Sequence, residues 1–90
     1  MSNLSHYKNR FLTFHHWKKA TPSPSELARN GFFFMGVDDW VQCCDCGILL
    51  HSWKENDNVT TEHFRLSPSC RTARKNKFQS DWMDFSFNGK

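Results

Sequence analysis

The sequence predicts an α+β fold, a three-stranded antiparallel sheet flanked by short helices. Three observations carry that expectation: rings recurring at helical spacing near the start, short apolar runs broken by glycines in the middle, and a cappable stretch stopped by a proline after it.

Tyr7, Phe11, Phe14 and Trp17 fall on one helical stripe, with Lys8, Arg10, His15 and His16 on other faces, so a first amphipathic helix is expected over 5–17. Ser23 and Glu26 form a capping-box pattern with Pro24 at the first helical position, which starts a short second helix through Leu27 and Ala28. Asn30 and Gly31 end it, because glycine takes the left-handed conformation that closes a helix. Phe32 to Met35 reads as a buried strand, and Asp38 with Asp39 supplies the next turn. Strands over 40–43 and 48–53, joined by a turn containing Gly47, complete an antiparallel meander. Asp57 or Asn58 caps a third helix over 59–66, which Pro68 prevents from continuing. A basic stretch, 71–77, and an aromatic, acidic tail, 78–87, follow.

Ninety residues make one domain, and at that size a single apolar core needs an additional staple. The nine Phe and four Trp make the expected core small and aromatic. No run approaches the roughly 20 apolar residues of a membrane span, and residues 1–10 lack a secretory apolar stretch, so a soluble, cytoplasmic protein is expected. In that compartment thiols stay reduced, and the four cysteines read as metal ligands rather than as disulfides.

Cys43 and Cys46 are separated by two residues at a strand end, before Gly47, which lets the chain fold tightly around an ion. Sixteen residues separate Cys46 from His63, and six separate His63 from Cys70. Three thiolates and one imidazole make the closed tetrahedral set of a structural zinc site, so one structural Zn2+ is expected and catalysis is not. Cys44, one residue from Cys46, makes a poorer knuckle and reads as a small buried side chain; His6, His15, His16 and His51 have no partner at ligand spacing.

With these residues in place, the chain resembles a baculovirus IAP repeat (BIR), the zinc domain of inhibitor-of-apoptosis proteins. The resemblance covers about residues 10–70 and runs through Arg10, Thr13, Phe14, Trp17, Leu27, Ala28, Gly31, Phe32, Phe33, Gly36, Asp39 and Val41. It continues through Cys43, Cys46, Gly47, Leu50, Trp53, Asp57, Glu62, His63, Pro68 and Cys70. On that reading 1–9 are the N-terminal segment of the first helix, 10–70 form the zinc domain, and 71–90 are a C-terminal helix or tail.

The resemblance implies that a peptide with a free N-terminus adds as a strand beside the third strand, here Leu49, Leu50, His51 and Ser52. Asp57, with Glu62 close by, would receive the terminal ammonium, and Trp53 would wall the first side chain. Leu49 stands where groove-forming repeats usually have glycine, and Leu66 where many have a second tryptophan. Cys44 replaces an aromatic, and Lys18 and Val59 replace prolines. Such departures are similar to first repeats of multi-repeat inhibitors, which use other surfaces to contact partner helices or to dimerise.

The leading expectation is an antiapoptotic module that binds caspases or the N-terminal motifs of their antagonists. The alternatives are an adaptor repeat with a closed groove that binds a partner helix or a second copy, and a survivin-like reader of histone tails. A nucleic-acid finger using Arg71, Arg74, Lys75 and Lys77 is the weaker reading, because the formal charge is only +3 and Asp81 and Asp84 follow the cluster.

Overall fold

A computed structural model of the chain describes residues 3–79. Its elements are α1 (Tyr7–Leu12) with a 3-10 turn (Thr13–His16), α2 (Pro24–Arg29), β1 (Phe32–Phe34), β2 (Val41–Cys43), β3 (Leu49–Leu50) and α3 (Val59–Leu66). Residues 71–79 form a further helix, α4. The sheet order is β1-β2-β3, both pairs antiparallel, with Phe32 opposite Cys43 and Val41 opposite Leu50. The expected tail from residue 80 onward lies outside the described residues.

The first helix is shorter than its aromatic spacing predicts. The α-helix stops at Leu12, and the chain tightens into the 3-10 turn, where Phe14 leaves helical geometry (φ −86°, ψ 20°). Three residues per turn re-aim the later rings. Phe14 and Trp17 pack against Phe34 at 5.9 and 5.2 Å. Tyr7 and Phe11 instead stack on each other at 5.9 Å and stay about 40% exposed (42% and 41%). Thr13 ties this turn to the sheet: its hydroxyl donates to the Arg10 carbonyl (2.6 Å) and accepts from Phe34 N–H (2.9 Å). Arg10 is buried, and its Nε donates to the Ala28 carbonyl at the end of α2 (2.9 Å), joining the first two helices.

α2 begins as its sequence requires, with Ser23 Oγ accepting from Glu26 N–H and Pro24 in the first turn. Asn30 closes it, donating from Nδ2 to the Glu26 carbonyl, and accepts from the Thr60 hydroxyl of α3. Gly31 then takes φ +92°, and a Cβ there would stand 3.0 Å from Thr72 Cγ2 and 3.5 Å from Cys43 Sγ, so glycine is required both by the turn and by the packing of α4.

The strands differ from expectation at their ends. Of the first strand only Phe32 is fully buried, and Met35 is 43% exposed, although its N–H still bonds to the Trp40 carbonyl. Trp40 lies just outside β2. β3 covers two residues rather than 48–53, because Ser52 takes φ +60° and turns the chain out of the sheet. Asp39, which the sequence assigns to a turn, holds that departure: Oδ1 accepts from Ser52 N–H (2.8 Å) and Oδ2 from Trp53 N–H (2.7 Å). The cap of α3 is Asn58, whose Oδ1 accepts from Thr61 N–H (2.9 Å), while Asp57 accepts from Lys54 N–H (2.8 Å). The core lies between the sheet and the helices and is built on Phe14, Leu27, Phe32, Val41, Trp53 and Val59. No helix among the described residues is long and apolar enough to cross a membrane.

Candidate metal centre and binding groove

Cys43 ends β2, Cys46 follows in the turn, His63 projects from α3, and Cys70 stands just before α4. Cys44, expected to be buried, is exposed instead, with Arg10 Nη1 3.7 Å from its Sγ, because the turn after β2 directs it away from the core. Their ligand atoms all lie within 4.8 Å of one another. Cys43 Sγ and Cys70 Sγ are 3.9 Å apart, and Cys46 Sγ is 3.7 Å from His63 Nε2. A tetrahedron with zinc–sulfur bonds of about 2.3 Å places its sulfurs about 3.8 Å apart, so these donors surround a space of zinc's size.

Local chemistry supports the same ion. Asp45 N–H and Cys46 N–H both point at Cys43 Sγ (3.3 and 3.5 Å), an arrangement that favours a thiolate. Burial works against it and, with the neighbouring thiols, outweighs these N–H groups and pushes the Cys43 thiol up to about 12. Burial likewise raises Cys70. Burial lowers His63 to about 4, against a smaller upward pull from the Asn30 backbone and the Asp45 carboxylate, so its imidazole is neutral and able to ligate. Its Nδ1 is nonetheless buried without a hydrogen bond of good geometry. Three crowded thiols and a neutral imidazole fit a divalent cation that replaces their protons. When bound, zinc supplies a cross-link between the sheet turn, α3 and the start of α4, and four protein donors complete its shell.

A second constellation lies beside β3. Leu50, His51, Trp53, Asp57, Glu62 and Leu66 line one small pocket of about 50 Å³. Ser52 and Leu49 are not part of it. Ser52 lines a larger cavity of about 460 Å³ with Trp17, Lys19, Asp39, Trp40 and His51. Leu49 pairs with Gln42 and is 43% exposed, whereas its neighbour Leu50 is buried, so the Leu49 side chain stands on the outer face of the sheet. It therefore does not stand in the plane through which a further strand would approach.

β3 is an open edge of the three-stranded sheet. Cys43 N–H bonds to the Ile48 carbonyl and Val41 faces Leu50, so the backbone groups of Ile48 and Leu50 turn inward. Alternation turns those of Leu49 and His51 outward. Trp53 is 6% exposed and meets Phe32 edge-on at 6.4 Å. Of the two carboxylates, Glu62 is engaged by Arg65 (2.6 Å), whereas Asp57 uses one oxygen for Lys54 N–H and has the other without a hydrogen bond among the described residues.

Sequence reasoning missed the clamp behind Trp53. Lys19 Nζ donates to Asp39 Oδ2 (2.8 Å) and to the Trp53 carbonyl (2.5 Å), so both main-chain ends of Trp53 are held. The spacing of Lys19, Asp39 and Trp53 gives no periodic signal, because three separate loops supply them. Burial alone would raise the Asp39 pKa, but the Lys19, Ser52 and Trp53 hydrogen bonds and the Lys19 charge outweigh it and hold the group below 3.8. Its contribution to stability is then complete above pH 3.8 and is lost as pH falls through the lower folded value. Asp39→Asn leaves one backbone N–H facing an amide NH2, and a loss of about 1–3 kcal/mol is expected in urea titrations of the zinc-loaded protein near neutral pH. An unchanged midpoint would remove Asp39 from this role.

The comparisons with known proteins agree with this geometry. A family model described as BIR, Inhibitor of Apoptosis domain, matches residues 10–74. Baculoviral IAP repeat-containing protein 7-B of Xenopus laevis is 47% identical over 63 residues, covering 68% of this chain and 18% of that protein. Human Baculoviral IAP repeat-containing protein 3 is 43% identical over 61 residues, covering 68% and 10%. This chain thus spans less than a fifth of the length of these curated relatives. Among solved structures, DIAP1 BIR1 bound to a Grim peptide superposes with a TM-score of 0.76 at 32% identity, covering 79% of this chain and 73% of that one. The autoinhibited dIAP1-BIR1 domain gives a TM-score of 0.72 at 34% identity, covering 74% and 69%.

Proposed function

This chain belongs to the BIR family, the Inhibitor of Apoptosis domain, and from that premise we propose that it is a zinc-stabilised module that grips the free N-terminus of a partner polypeptide. Its role is then to suppress cell death by binding caspases or the N-terminal motifs of apoptotic proteins, in the cytoplasm, where its thiols stay reduced. The observation that carries this reading is the convergence of Leu50, His51, Trp53, Asp57, Glu62 and Leu66 on one small pocket at the open sheet edge. A pocket of that size suits a small first side chain. The unengaged oxygen of Asp57 receives the ammonium, and the outward groups of His51 and Leu49 pair with the peptide backbone. That a related BIR domain of similar fold is bound to a Grim peptide supports a polypeptide as the partner.

The test is a titration with a peptide beginning in free alanine beside its acetylated copy. Saturable binding of the free form alone is expected, because acetylation removes the charge and buries a methyl group against a carboxylate. Binding of both forms alike, or of neither, rules out the N-terminal anchor. One observation favours a second reading. Tyr7, Phe11 and Leu12 leave the outer face of α1 apolar and 41–59% exposed, as an adaptor repeat contacting a partner helix or a second copy requires.

A further inference from the structure

The proposed groove ends in a feature that the pocket around Trp53 does not use. Trp40 and His51 lie opposite each other across the end of the β2–β3 ladder, and their rings stack with centroids 4.1 Å apart at 17°. His51 Nδ1 shares a hydrogen bond with Ser52 Oγ at 2.8 Å, which fixes the imidazole in that plane. His51 is exposed, so one side of this short ring ladder is covered by Trp40 while the other faces the open edge. His51 also lines both the 50 Å³ pocket and the adjoining 460 Å³ cavity, making it the junction between them.

Strand geometry decides what meets that face. With the first side chain in the Trp53 pocket, an added strand runs antiparallel to β3, and the nearest residue with outward backbone groups is His51. The peptide's second residue pairs with it. Side chains of directly opposed residues stand on the same face about 4.5–5.5 Å apart. The second side chain therefore continues the row Trp40, His51 as its third member. A planar ring gains offset stacking there that an aliphatic group of similar area does not. Lys18 and Asp38, which also line the cavity, balance in charge, so the site offers no net preference for an ionic side chain.

We propose that the Trp40–His51 stack makes this groove selective for polypeptides whose free N-terminal small residue is followed by an aromatic one. The inference rests on the groove reading above and deepens it by naming the class of partner. The experiment measures the affinity of zinc-loaded protein for three otherwise identical peptides, free Ala followed by Phe, Leu or Ala, by anisotropy of a C-terminal label. The Phe peptide is expected to bind about three- to tenfold more tightly than the Leu peptide. Trp40→Leu should collapse that ratio towards one, and Trp40→Phe, which restores a ring, should recover it; a thermal melt of each variant reports folding separately. Equal binding of the Phe and Leu peptides to the parent, or a ratio that survives Trp40→Leu, overturns the selectivity while leaving the groove intact. Failure of all three peptides to bind overturns the groove and the selectivity together.

Discussion

Stripping the metal with a strong chelator unfolds this domain, and Cys70→Ala does the same in the presence of zinc. The elements are too short to stand alone: β3 has two residues, and α1 and α2 have six each. The ligands join β2, α3 and the start of α4, so the ion cross-links elements that lie far apart along the chain. Structural zinc binding releases about 10–16 kcal/mol at neutral pH, as large as the entire stability of a typical domain. Without it, His63 and the Cys43 and Cys70 thiols remain buried and polar with no ion to engage them. The measurement is a two-dimensional amide spectrum and far-ultraviolet circular dichroism, with and without chelator. A dispersed, native-like spectrum in the chelated protein would show that the core suffices alone and that the metal is an accessory.

Asp57→Asn should weaken binding of a peptide beginning in free alanine by about 30-fold or more, the equivalent of about 2 kcal/mol, while the fold persists. The Asn carbonyl oxygen can still accept the Lys54 N–H that Asp57 Oδ2 accepts, so the local turn survives, whereas the charge that meets an ammonium is gone. Asp57→Ala would remove both and confuse the two effects. Glu62 is poorly placed to substitute, because Arg65 already engages it at 2.6 Å. The readout is a pair of isothermal titrations with matching thermal melts. Parent-like affinity in a folded Asp57→Asn protein would end the anchor role for this residue.

The ligand set was fully legible in the sequence. A knuckle of two cysteines before a glycine, a histidine on a capped helix and a cysteine past a proline constrain one another through short loops, and zinc accepts few arrangements of such donors. The second and third helices were also readable, because Ser23, Asn58 and their neighbours act through bonds three residues long. Six of the eight residues assigned to the groove by family resemblance meet at one pocket, and local chemistry would not have selected them.

What the chain alone could not show is set by contacts between distant loops. Aromatic spacing identified a first helix, but the tightening at Thr13 that turns Phe14 inward and leaves Tyr7 outside answers to the packing of Phe34. Asp39 is a turn residue, as its sequence suggests, but only folding brings Ser52 and Trp53 to its carboxylate, which ends β3 early and fixes the groove wall. Leu49 stands where groove-forming repeats usually have glycine, and which face its side chain takes is decided only by the register with Gln42. Bonds spanning a few residues are written in order along the chain, whereas a side chain's facing and a strand's end depend on which partners folding delivers. The sequence by itself therefore determined the metal and the family, and only the tertiary structure decided the shape of the surface a partner meets.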